Sequence, residues 1–596
     1  MQIQGMIDRV VGRHKKDPSR LIDILRDVQA ALGRVPPEAV GRISALLGLS
    51  TVDVEGVATF YHFFTQAPAG RYAVYLNDNI VSVLKGRASV AEAFEKTAGC
   101  KFGESTADGL IGLHATSCIG MNDQEPAALI NGVVFPRLTP AKARALVAAM
   151  RKGGDVESLA KQTGEGVRNN LRRKGPVIFA PHQPGAGLKK AVARAPEDVI
   201  AEVKRANLLG RGGAGFPTGL KWEFCRREKG EAHYVVCNAD EGEPGTFKDR
   251  VILTERPKLL IEGMALAGYA VGAREGLLYL RGEYAYLKPG LEKVLAELRS
   301  ARLLGNRIAG KKDFSFDITL KLGAGAYICG EESALLESAE GARGDPRDRP
   351  PFPVQFGYRG LPTTVNNVET LCAAARILDK GASWFKKMGT PRSAGTKVLS
   401  VSGDCRRPGV FEVEFGLTVW QLLKMAGGTE AQAVQVGGPS GTCVSRGQFN
   451  RTIGFEDLAT GGSIIVIGPD RDLFDVIHNF MDFFIEESCG WCVPCRAGNS
   501  ILKRKLEKIT SGKGTMKDLA DLEAWGNIIK VSSRCGLGQT SPNPILTTLQ
   551  NFREKYEIRV RHDTDFVPTF DLEEAVRAAA SVTGQTLPVH EEAAHE

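Results

Sequence analysis

The stretch Leu-Leu-Gly-Arg-Gly-Gly-Ala-Gly-Phe-Pro-Thr-Gly-Leu-Lys-Trp, residues 208–222, contains five glycines within ten positions. Three of them match the G-x-G-x-x-G pattern of dinucleotide-binding loops, which normally follows a strand and opens a helix. Residues 197–207, which precede this loop, have the pattern of a helix. We therefore reject an ordinary Rossmann βαβ unit for this loop, whose matching glycines are Gly210, Gly212 and Gly215.

The glycine loop is nevertheless suited to a phosphate. Glycine lets backbone N–H groups approach a ligand closely, and the following helix N-terminus favours an anion. Lys221 adds a positive charge. Taken alone, the loop is explained equally well as an ordinary turn with Lys221 on a solvated helix face.

Two acidic stretches favour a ligand site over an ordinary turn. Residues 238–250 are Asn-Ala-Asp-Glu-Gly-Glu-Pro-Gly-Thr-Phe-Lys-Asp-Arg, and residues 322–332 are Leu-Gly-Ala-Gly-Ala-Tyr-Ile-Cys-Gly-Glu-Glu. Carboxylates bind ribose hydroxyls or orient a nicotinamide amide, and nearby glycines admit a flat ring system. Each stretch alone is more typical of a solvated loop, so only their combination indicates a site.

A second motif consists of cysteines. Residues 487–500, Glu-Ser-Cys-Gly-Trp-Cys-Val-Pro-Cys-Arg-Ala-Gly-Asn-Ser, place a thiol at every third position. This spacing suits three corners of an iron–sulfur cube whose fourth ligand comes from elsewhere. The main alternative is structural zinc, which normally uses two Cys-x2-Cys knuckles, and the second knuckle is missing. Cys535, the last cysteine, follows a helical segment ending near Lys530, and a helix out and a helix back would return it to the other three. We therefore predict a [4Fe–4S] cluster on Cys489, Cys492, Cys495 and Cys535.

The composition is that of a soluble multidomain protein. Of 596 residues, 43% are hydrophobic and 24% charged. No apolar run reaches the roughly 18 residues that cross a bilayer, and the N-terminus lacks a signal-peptide core, so we expect a cytoplasmic protein without membrane insertion. The net charge of +8 is spread over 77 basic and 69 acidic residues, which does not indicate nucleic-acid binding.

The order of helical and strand patterns predicts a multidomain α/β fold. Residues 17–33 have a helical pattern that ends at Gly33, and Thr418 caps a predicted helix from Val419 to Met425. The acidic end, Pro588–Glu596, is expected to be disordered. We place the predicted units at 1–70 (N-terminal helices), 71–150 (mixed domain), 151–194 (linker), 195–395 (α/β domain), 396–470 (β-rich domain), 471–550 (helical domain) and 551–596 (C-terminal extension).

Six motifs in order resemble the NADH-oxidising flavoprotein subunit shared by respiratory complex I, NAD-dependent formate dehydrogenases and NAD-reducing hydrogenases. The resemblance runs from about residue 195 to 550 and implies FMN, NAD(H) and one [4Fe–4S] cluster. It also implies a Rossmann-like FMN/NADH-binding domain, a β-grasp domain and a C-terminal helical bundle that carries the cluster. The motifs are Gly-Arg-Gly-Gly-Ala-Gly-Phe, the 238–250 stretch, Tyr-Ile-Cys-Gly-Glu-Glu, Pro-Pro-Phe-Pro, Asn-Asn-Val-Glu-Thr and Glu-Ser-Cys-Gly-x-Cys-x-Pro-Cys-Arg.

The resemblance also implies residue roles. The dinucleotide would lie against Phe216, Phe224 and Phe352, although each phenylalanine without its motif is more typical of core packing. The placing residues for the nicotinamide would be Glu243 and Glu332. A dinucleotide phosphate would meet Arg349, where a lysine is common in the family. FMN would contact Gly210, Arg211, Gly212, Gly213, Ala214, Gly215, Lys221, Asn238, Asp240, Glu241, Gly330, Glu331, Asn366 and Asn367.

The first 150 residues resemble a different protein, the small thioredoxin-like iron–sulfur partner of this flavoprotein in complex I. Ala58-Thr59-Phe60-Tyr61-His62-Phe63-Phe64 carries this resemblance. The partner's [2Fe–2S] ligands align with Asn77, Ser82, Cys118 and Asn122, of which only one is a cysteine. Amides and hydroxyls are poor ligands for iron, so we expect no [2Fe–2S] cluster and about four rather than six irons per FMN.

The fused N-terminal domain makes the chain most similar to the diaphorase flavoprotein subunit of soluble NAD-reducing [NiFe] hydrogenases. The partners implied are a small iron–sulfur diaphorase subunit and the small and large [NiFe] hydrogenase subunits. One alternative is the same module in formate dehydrogenase or complex I. A cluster-binding scaffold without enzymatic activity is the other.

Overall fold

The computed structural model describes residues 2–162, 166–561 and 572–584. Helices begin the chain, and the one predicted over 17–33 is confirmed. Asp17 accepts the Ser19 amide at 2.9 Å, and Gly33 ends the helix with a left-handed φ of 72°. The helices of this segment are α1 Gln2–Arg13, α2 Leu21–Leu32, α3 Pro37–Leu47 and α4 Thr51–Phe60.

The next unit is a four-stranded sheet in the order β2-β1-β3-β4, with β1 and β2 parallel and the other pairs antiparallel. Helices cover it, and Val74, Phe94 and Val147 pack in its core. Its elements are β1 Tyr72–Asn77, α5 Ile80–Leu84, α6 Arg87–Ala98, β2 Ile111–Thr116, β3 Ala128–Ile130, β4 Val133–Phe135, α7 Pro140–Arg151 and α8 Val156–Gln162.

Most of the described part of the predicted linker 151–194 is packed structure. Strand β5, Leu171–Arg173, pairs in parallel with a later strand, and helix α9, Ala186–Val192, lies against the central domain. The carboxylate of Glu412 accepts the amides of Val177, Ile178 and Phe179 at 2.8 to 3.0 Å. The lysine- and glycine-rich composition of this segment therefore did not predict its edge strand.

The central domain contains a parallel sheet in the order β8-β7-β6-β9, covered by helices. Its strands are β6 Tyr234–Ala239, β7 Glu275–Leu280, β8 Asp317–Leu322 and β9 Thr363–Asn367. Its helices are α10 Pro196–Arg205, α11 Thr218–Arg227, α12 Lys248–Glu255, α13 Pro257–Val271, α14 Lys288–Ser300, α15 Glu332–Ala339, α16 Val368–Lys380 and α17 Ala382–Lys386.

The β-rich domain is a mixed sheet in the order β13-β12-β14-β10-β11, extended at its edge by β5. Its central strands β10 and β14 are parallel, with one helix in the connection, as in a β-grasp fold. The predicted helix cap is confirmed, since Thr418 and Gln421 form a capping box. The elements are β10 Thr396–Gly403, β11 Gly409–Glu414, α18 Val419–Ala426, β12 Ala433–Val436, β13 Thr442–Ser445 and β14 Ser463–Ile467.

The remaining described chain is mainly helical. The predicted acidic tail 588–596 lies outside the described residues. Among the residues that the structure describes, no helix is long and apolar enough to cross a membrane. The elements are α19 Leu473–Glu487, α20 Val493–Thr510, β15 Gly514–Thr515, α21 Met516–Ser532, α22 Gly536–Thr540, α23 Asn543–Asn551, α24 Arg553–Glu557, β16 Val560–Arg561 and α25 Leu572–Thr583.

Candidate functional site: a crevice beside a cysteine loop

The candidate site lies where the strand order of the central sheet reverses, and we call the region at these strand ends the crevice. Strand β6 pairs with β7 on one side and β9 on the other, and the carboxyl ends of such strands are where α/β sheets bind ligands. Asn238, at the end of β6, donates to the carbonyl of Gly330 at 2.8 Å. Asp240 follows, and its buried Oδ2 has no hydrogen-bond partner. Burial raises the pKa of Asp240 well above its ordinary value, and the unpartnered oxygen is available to a ligand.

The glycine loop lies between α10 and α11, so the predicted helix before it is observed and no strand leads into it. Gly210 N donates to the carbonyl of Phe216 at 2.9 Å and closes the loop. Gly213 has a φ of 127° and Gly215 a φ of 69°. A Cβ on Gly215 would also lie 2.6 Å from the ring of Phe455 in the β-grasp domain. Glycine is therefore required by conformation and by the close approach of a second domain.

Arg211 is placed differently from the other loop residues, because its side chain is buried. Its guanidinium donates to the carbonyls of Leu209, Ala394 and Thr396 at 2.7 to 3.1 Å and lies 4.7 Å from the centre of the Phe415 ring. Burial lowers its pKa to about 10. The side chain thus fixes the loop to the β-grasp domain and does not extend into the crevice.

A buried charge network lies beneath the loop. The ammonium of Lys397 pairs with Glu369, and Lys248 pairs with Asp249 at 2.7 Å and with Glu369 at 3.2 Å. Asn367 donates to Asp249 at 2.7 Å. Burial acts to raise the pKa of Glu369, but the neighbouring ammonium groups outweigh it and lower that pKa. Apart from Asn367, the sequence prediction missed these residues, although Lys248 and Asp249 stand in the acidic 238–250 stretch.

Several predicted site residues hold other residues in place. Glu241 accepts the amides of Asp249 and Arg250 at 2.7 and 3.2 Å and so caps α12. Glu331 caps α15. The two asparagines at the end of β9 do likewise: Asn366 accepts the indole N–H of Trp222 at 2.9 Å, and Asn367 caps α16.

Four phenylalanines on the glycine loop, on α11 and on segment 349–356 are exposed, and we call these three elements the mouth of the crevice. Their exposed fractions, 44% for Phe216, 39% for Phe224, 48% for Phe352 and 53% for Phe356, are far from those of core residues, so the core-packing alternative is excluded for the three predicted ones. Phe356 was not predicted, although it follows Phe352 by four residues. Such a group of exposed rings is typical of a binding surface.

Charged groups lie among these rings. Lys221 Nζ is 6.0 Å from the centre of the Phe216 ring and 2.7 Å from Glu332 Oε2. Arg349 Nη1 is 3.4 Å from Glu331 and 3.7 Å from Glu332. The mouth therefore combines aromatic surface with two cations that carboxylates neutralise.

A short turn, Tyr327–Gly330, connects the crevice to the cysteine loop. At one end Gly330 accepts from Asn238. At the other, the amide of Tyr327 donates to Glu487 at 2.8 Å, and its hydroxyl donates to Glu243 at 2.5 Å. Glu487 precedes the first cysteine of the loop by two residues. The crevice and the cysteine loop are thus joined through four residues of backbone.

The structure brings the four predicted cysteines into one cluster of packed side chains. Cys492 precedes α20, and Cys495 lies in its first turn. Helix α21 returns the chain, so that Cys535 begins the short helix α22. A Cβ on Gly538 would lie 3.1 Å from that of Cys495, which shows how close the two segments are.

Polar groups surround the thiols, and two of them lie close to the sulfur of Cys495. Ser488 Oγ lies 3.3 Å and Asn499 Nδ2 3.5 Å from the sulfur of Cys495, and Arg343 donates to the carbonyl of Cys489. Burial raises the pKa of Cys495 to about 12. Within the described part of the chain, no three His, Cys, Asp or Glu side chains are placed to hold a single metal ion. A four-iron cluster instead needs one thiolate at each of four separate corners.

In the thioredoxin-like domain, the four aligned ligand positions surround a buried carboxyl group. Asn77 donates to Glu125, as does Asn122 at 3.4 Å, and Cys118 Sγ lies 3.5 Å from Asn122 Oδ1. Ser82 is also buried. Burial raises the pKa of Glu125 to about 8.

Three family models match the chain. Residues 203–376 match the Nuo51 FMN-binding domain, and residues 475–559 match the NADH-ubiquinone oxidoreductase-F iron-sulfur binding region. Residues 7–151 match the thioredoxin-like [2Fe-2S] ferredoxin model. Together these models cover the glycine loop with the central sheet, the cysteine loop and the thioredoxin-like domain.

A full-length relative decides the family. The NAD-reducing hydrogenase HoxS subunit alpha of Cupriavidus necator is 49% identical over 96% of this chain and 98% of its own length. The chain belongs to the family of NAD-reducing hydrogenase alpha subunits. A crystal structure of NAD+-reducing [NiFe]-hydrogenase in the H2-reduced state contains a chain that is 38% identical, with a TM-score of 0.88 over 96% of this chain and 98% of that one.

More distant members of the same group confirm the wider resemblance. An NADH-quinone oxidoreductase subunit of Streptomyces coelicolor is 41% identical over 64% of this chain and 87% of its own length. The predicted fold class and the resemblance to complex I and hydrogenase flavoproteins are thus confirmed, and the hydrogenase family is one of oxidoreductases.

One cofactor prediction is wrong. The expectation that the N-terminal domain has no [2Fe–2S] cluster conflicts with its match to the thioredoxin-like [2Fe-2S] ferredoxins over residues 7–151. The expectation rested on side-chain types at four aligned positions. A domain family is defined by its packed strands and helices, and these match over about 145 residues of sequence.

Proposed function

We propose that this chain exchanges electrons between NAD(H) and a [4Fe–4S] cluster through FMN, as a subunit of a soluble NAD-reducing hydrogenase. The observation that carries the proposal is the Tyr327–Gly330 turn, which joins the crevice to the cysteine loop. Bound FMN would supply two-electron exchange with NAD(H) and one-electron exchange with the cluster. The protein contributes positions and charges.

The residues of the crevice fit FMN. The loop of Gly210, Gly212, Gly213, Ala214 and Gly215 offers backbone amides to the phosphate. The unpartnered Oδ2 of Asp240 would be available to a polar group of the flavin, and Asn238 holds Gly330 in place. Arg211, Glu241, Glu331, Asn366 and Asn367 hold these elements in position from behind.

The mouth of the crevice fits a dinucleotide. The exposed rings of Phe216, Phe224 and Phe352 supply stacking surfaces for adenine and the bound ring system. Arg349 is the cation available to a dinucleotide phosphate once it exchanges its present carboxylate partners, and Lys221 is the cation available to FMN. Glu332 and Glu243 place the nicotinamide end, and they act by orientation rather than as nucleophiles.

Cys489, Cys492, Cys495 and Cys535 fit a [4Fe–4S] cluster. Iron–sulfur ligands are thiolates, so loading the cluster displaces the protons that burial otherwise retains on the cysteines. The donors around Cys495 then face a sulfur that carries negative charge. Hydrogen bonds of this kind stabilise the more reduced cluster and raise its potential.

The partners we propose are a small iron–sulfur diaphorase subunit and the small and large [NiFe] hydrogenase subunits, in the cytoplasm. The match over almost the entire length of the HoxS alpha subunit supports this choice over a complex I subunit, whose relatives match 62 to 64% of the chain. Hydrogen activation then belongs to the partners. The domain limits proposed are those predicted above, with strand β5 and helix α9 of segment 151–194 packed against the neighbouring domains.

The decisive experiment uses the native complex, purified through a tag on this chain under anaerobic conditions. Formation of NADH from NAD+ under H2 would support the hydrogenase assignment. Reduction of NAD+ by formate, without a response to H2, would move the chain to formate dehydrogenase. Failure of the full chain to reduce an artificial dye with NADH would leave only a cluster-binding scaffold.

A further inference from the structure

Loop 118–123 of the thioredoxin-like domain lies directly against the segment that leads out of the crevice. The amide of Gly245 donates to Asn122 Oδ1 at 3.1 Å, and Arg281 Nη2 donates to the carbonyl of Cys118 at 2.6 Å. All of these groups are buried. Buried polar contacts tolerate little change in geometry, because a broken partner cannot be replaced by water.

An ion pair fixes the same loop to helix α12. Arg250 Nη2 lies 2.9 Å from Asp123 Oδ1, and both side chains are almost completely buried. Arg250 Nε also donates to the carbonyl of Gly120 at 3.2 Å. Asn170 donates to the other oxygen of Asp123 at 2.8 Å. Since a buried guanidinium needs its counter-charge, the position of α12 depends on Asp123.

The contacts continue from α12 to the crevice. Glu241 accepts the amides at the start of α12 and the hydroxyl of Tyr284 at 2.9 Å. Arg281 donates to the carbonyl of the same Glu241 and pairs with Glu283 at 2.7 Å. Glu241 is the direct neighbour of Asp240, whose unpartnered oxygen faces the site.

The space around Gly120 shows how closely the thioredoxin-like domain and the central domain approach each other. Its φ is 69°, and a Cβ there would lie 2.1 Å from the hydroxyl of Tyr284. That hydroxyl is the one that donates to Glu241. Loop 118–123 therefore contacts the residues around Glu241 through an ion pair, through hydrogen bonds and through the close approach of Gly120 to Tyr284.

We propose that loop 118–123 positions the flavin-binding segment and that Asp123 is a positioning residue for FMN. It acts through Arg250 and the start of α12 on Asp240 and Glu241, without touching the flavin itself. The N-terminal domain thereby controls how tightly the crevice holds its cofactor. This inference rests on the proposed place of FMN in the crevice.

The test is Asp123→Asn in the full-length chain within its purified complex. After FMN removal, titration of FMN followed by flavin fluorescence gives the Kd. We expect about a tenfold weaker Kd, equal to about 1.4 kcal/mol. At saturating FMN the kcat for NADH-dependent dye reduction should return to the wild-type value, because Asp123 does not contact the reacting atoms. A matched control is Asp8→Asn, which removes a surface partner of Arg42 and should leave the Kd unchanged.

If Asp123→Asn does not yield folded protein, Asn122→Ala removes the acceptor of the Gly245 amide, together with the contacts of Asn122 to Glu125 and Cys118, and should weaken FMN binding in the same direction. Equal FMN affinity in the folded Asp123 or Asn122 variant and the wild type would overturn the proposal. An equal loss in Asp8→Asn would also overturn it. If the wild type itself binds no FMN, the proposed function fails. If the wild type binds FMN and the Asp123 substitution does not change the Kd, only the positioning role of Asp123 fails.

Discussion

The crevice and the cysteine loop, although joined by one turn, are constructed in opposite ways. The cysteine loop gathers three of its four thiols within seven residues, at spacings that the chain itself dictates. The crevice gathers residues from the 210, 240, 330 and 366 regions, and many of them hold other residues rather than face the cavity. Single substitutions should therefore abolish the cluster but weaken the crevice in steps.

The largest effect is expected for Cys535→Ala, which removes one corner of the cluster. Iron and acid-labile sulfide should fall, and NADH formation from H2 in the complex should fall below detection, because the electron exit is lost. The matched control is Cys405→Ser, a cysteine remote from the loop in sequence. A Cys535→Ala chain that keeps the reduced-cluster EPR signal would remove this residue from the ligand set.

Asp240→Ala should have the next largest effect. It removes the buried polar atom offered to the flavin, and a buried flavin group left without its hydrogen-bond partner costs about 1–3 kcal/mol. The Kd for FMN should rise by about 10- to 100-fold, as measured by flavin fluorescence. The exposed Asp198→Ala on α10 serves as control. An unchanged Kd would show that the unpartnered oxygen faces something other than the flavin.

Phe352→Ala should act at the mouth and leave FMN in place. Loss of one stacking partner costs about 0.5–1.5 kcal/mol, so the KM for NADH should rise by about two- to tenfold with FMN content unchanged. Steady-state dye reduction measures the KM, and the flavin absorbance of the purified chain measures the FMN content. The distant, exposed Ile558→Ala should change neither. A fall in FMN content instead would place this ring against the flavin.

The smallest effect is expected for the pair Lys221–Glu332, which is only partly buried. A double-mutant cycle with Lys221→Met and Glu332→Gln, measured by unfolding of the FMN-free chain, should give a coupling energy of about 0.5–1 kcal/mol. Raising the salt concentration should reduce it. A coupling that salt does not change would mean that the pair is more shielded from solvent than its exposure indicates.

The sequence predicted the features that depend on local chemistry. The Thr418 cap, the stop at Gly33 and the spacing of the three cysteines are set by neighbours within a few residues. The six ordered motifs indicated the family, and the full-length relative confirmed it. The one wrong cofactor prediction was the absence of a [2Fe–2S] cluster. It inferred a property of a whole domain from the side chains at four aligned positions.

Only the tertiary structure decided where the matched residues point. Arg211 stands in the glycine motif, yet its guanidinium is bound to three carbonyls of the interior. Strand β5 forms in a polar segment because β11 offers it a free edge. Asp123 lies more than 120 residues before Arg250, so no local pattern could pair them. Spacing along the chain fixes contacts within a turn or a helix, whereas buried partners at long range depend on how whole domains pack.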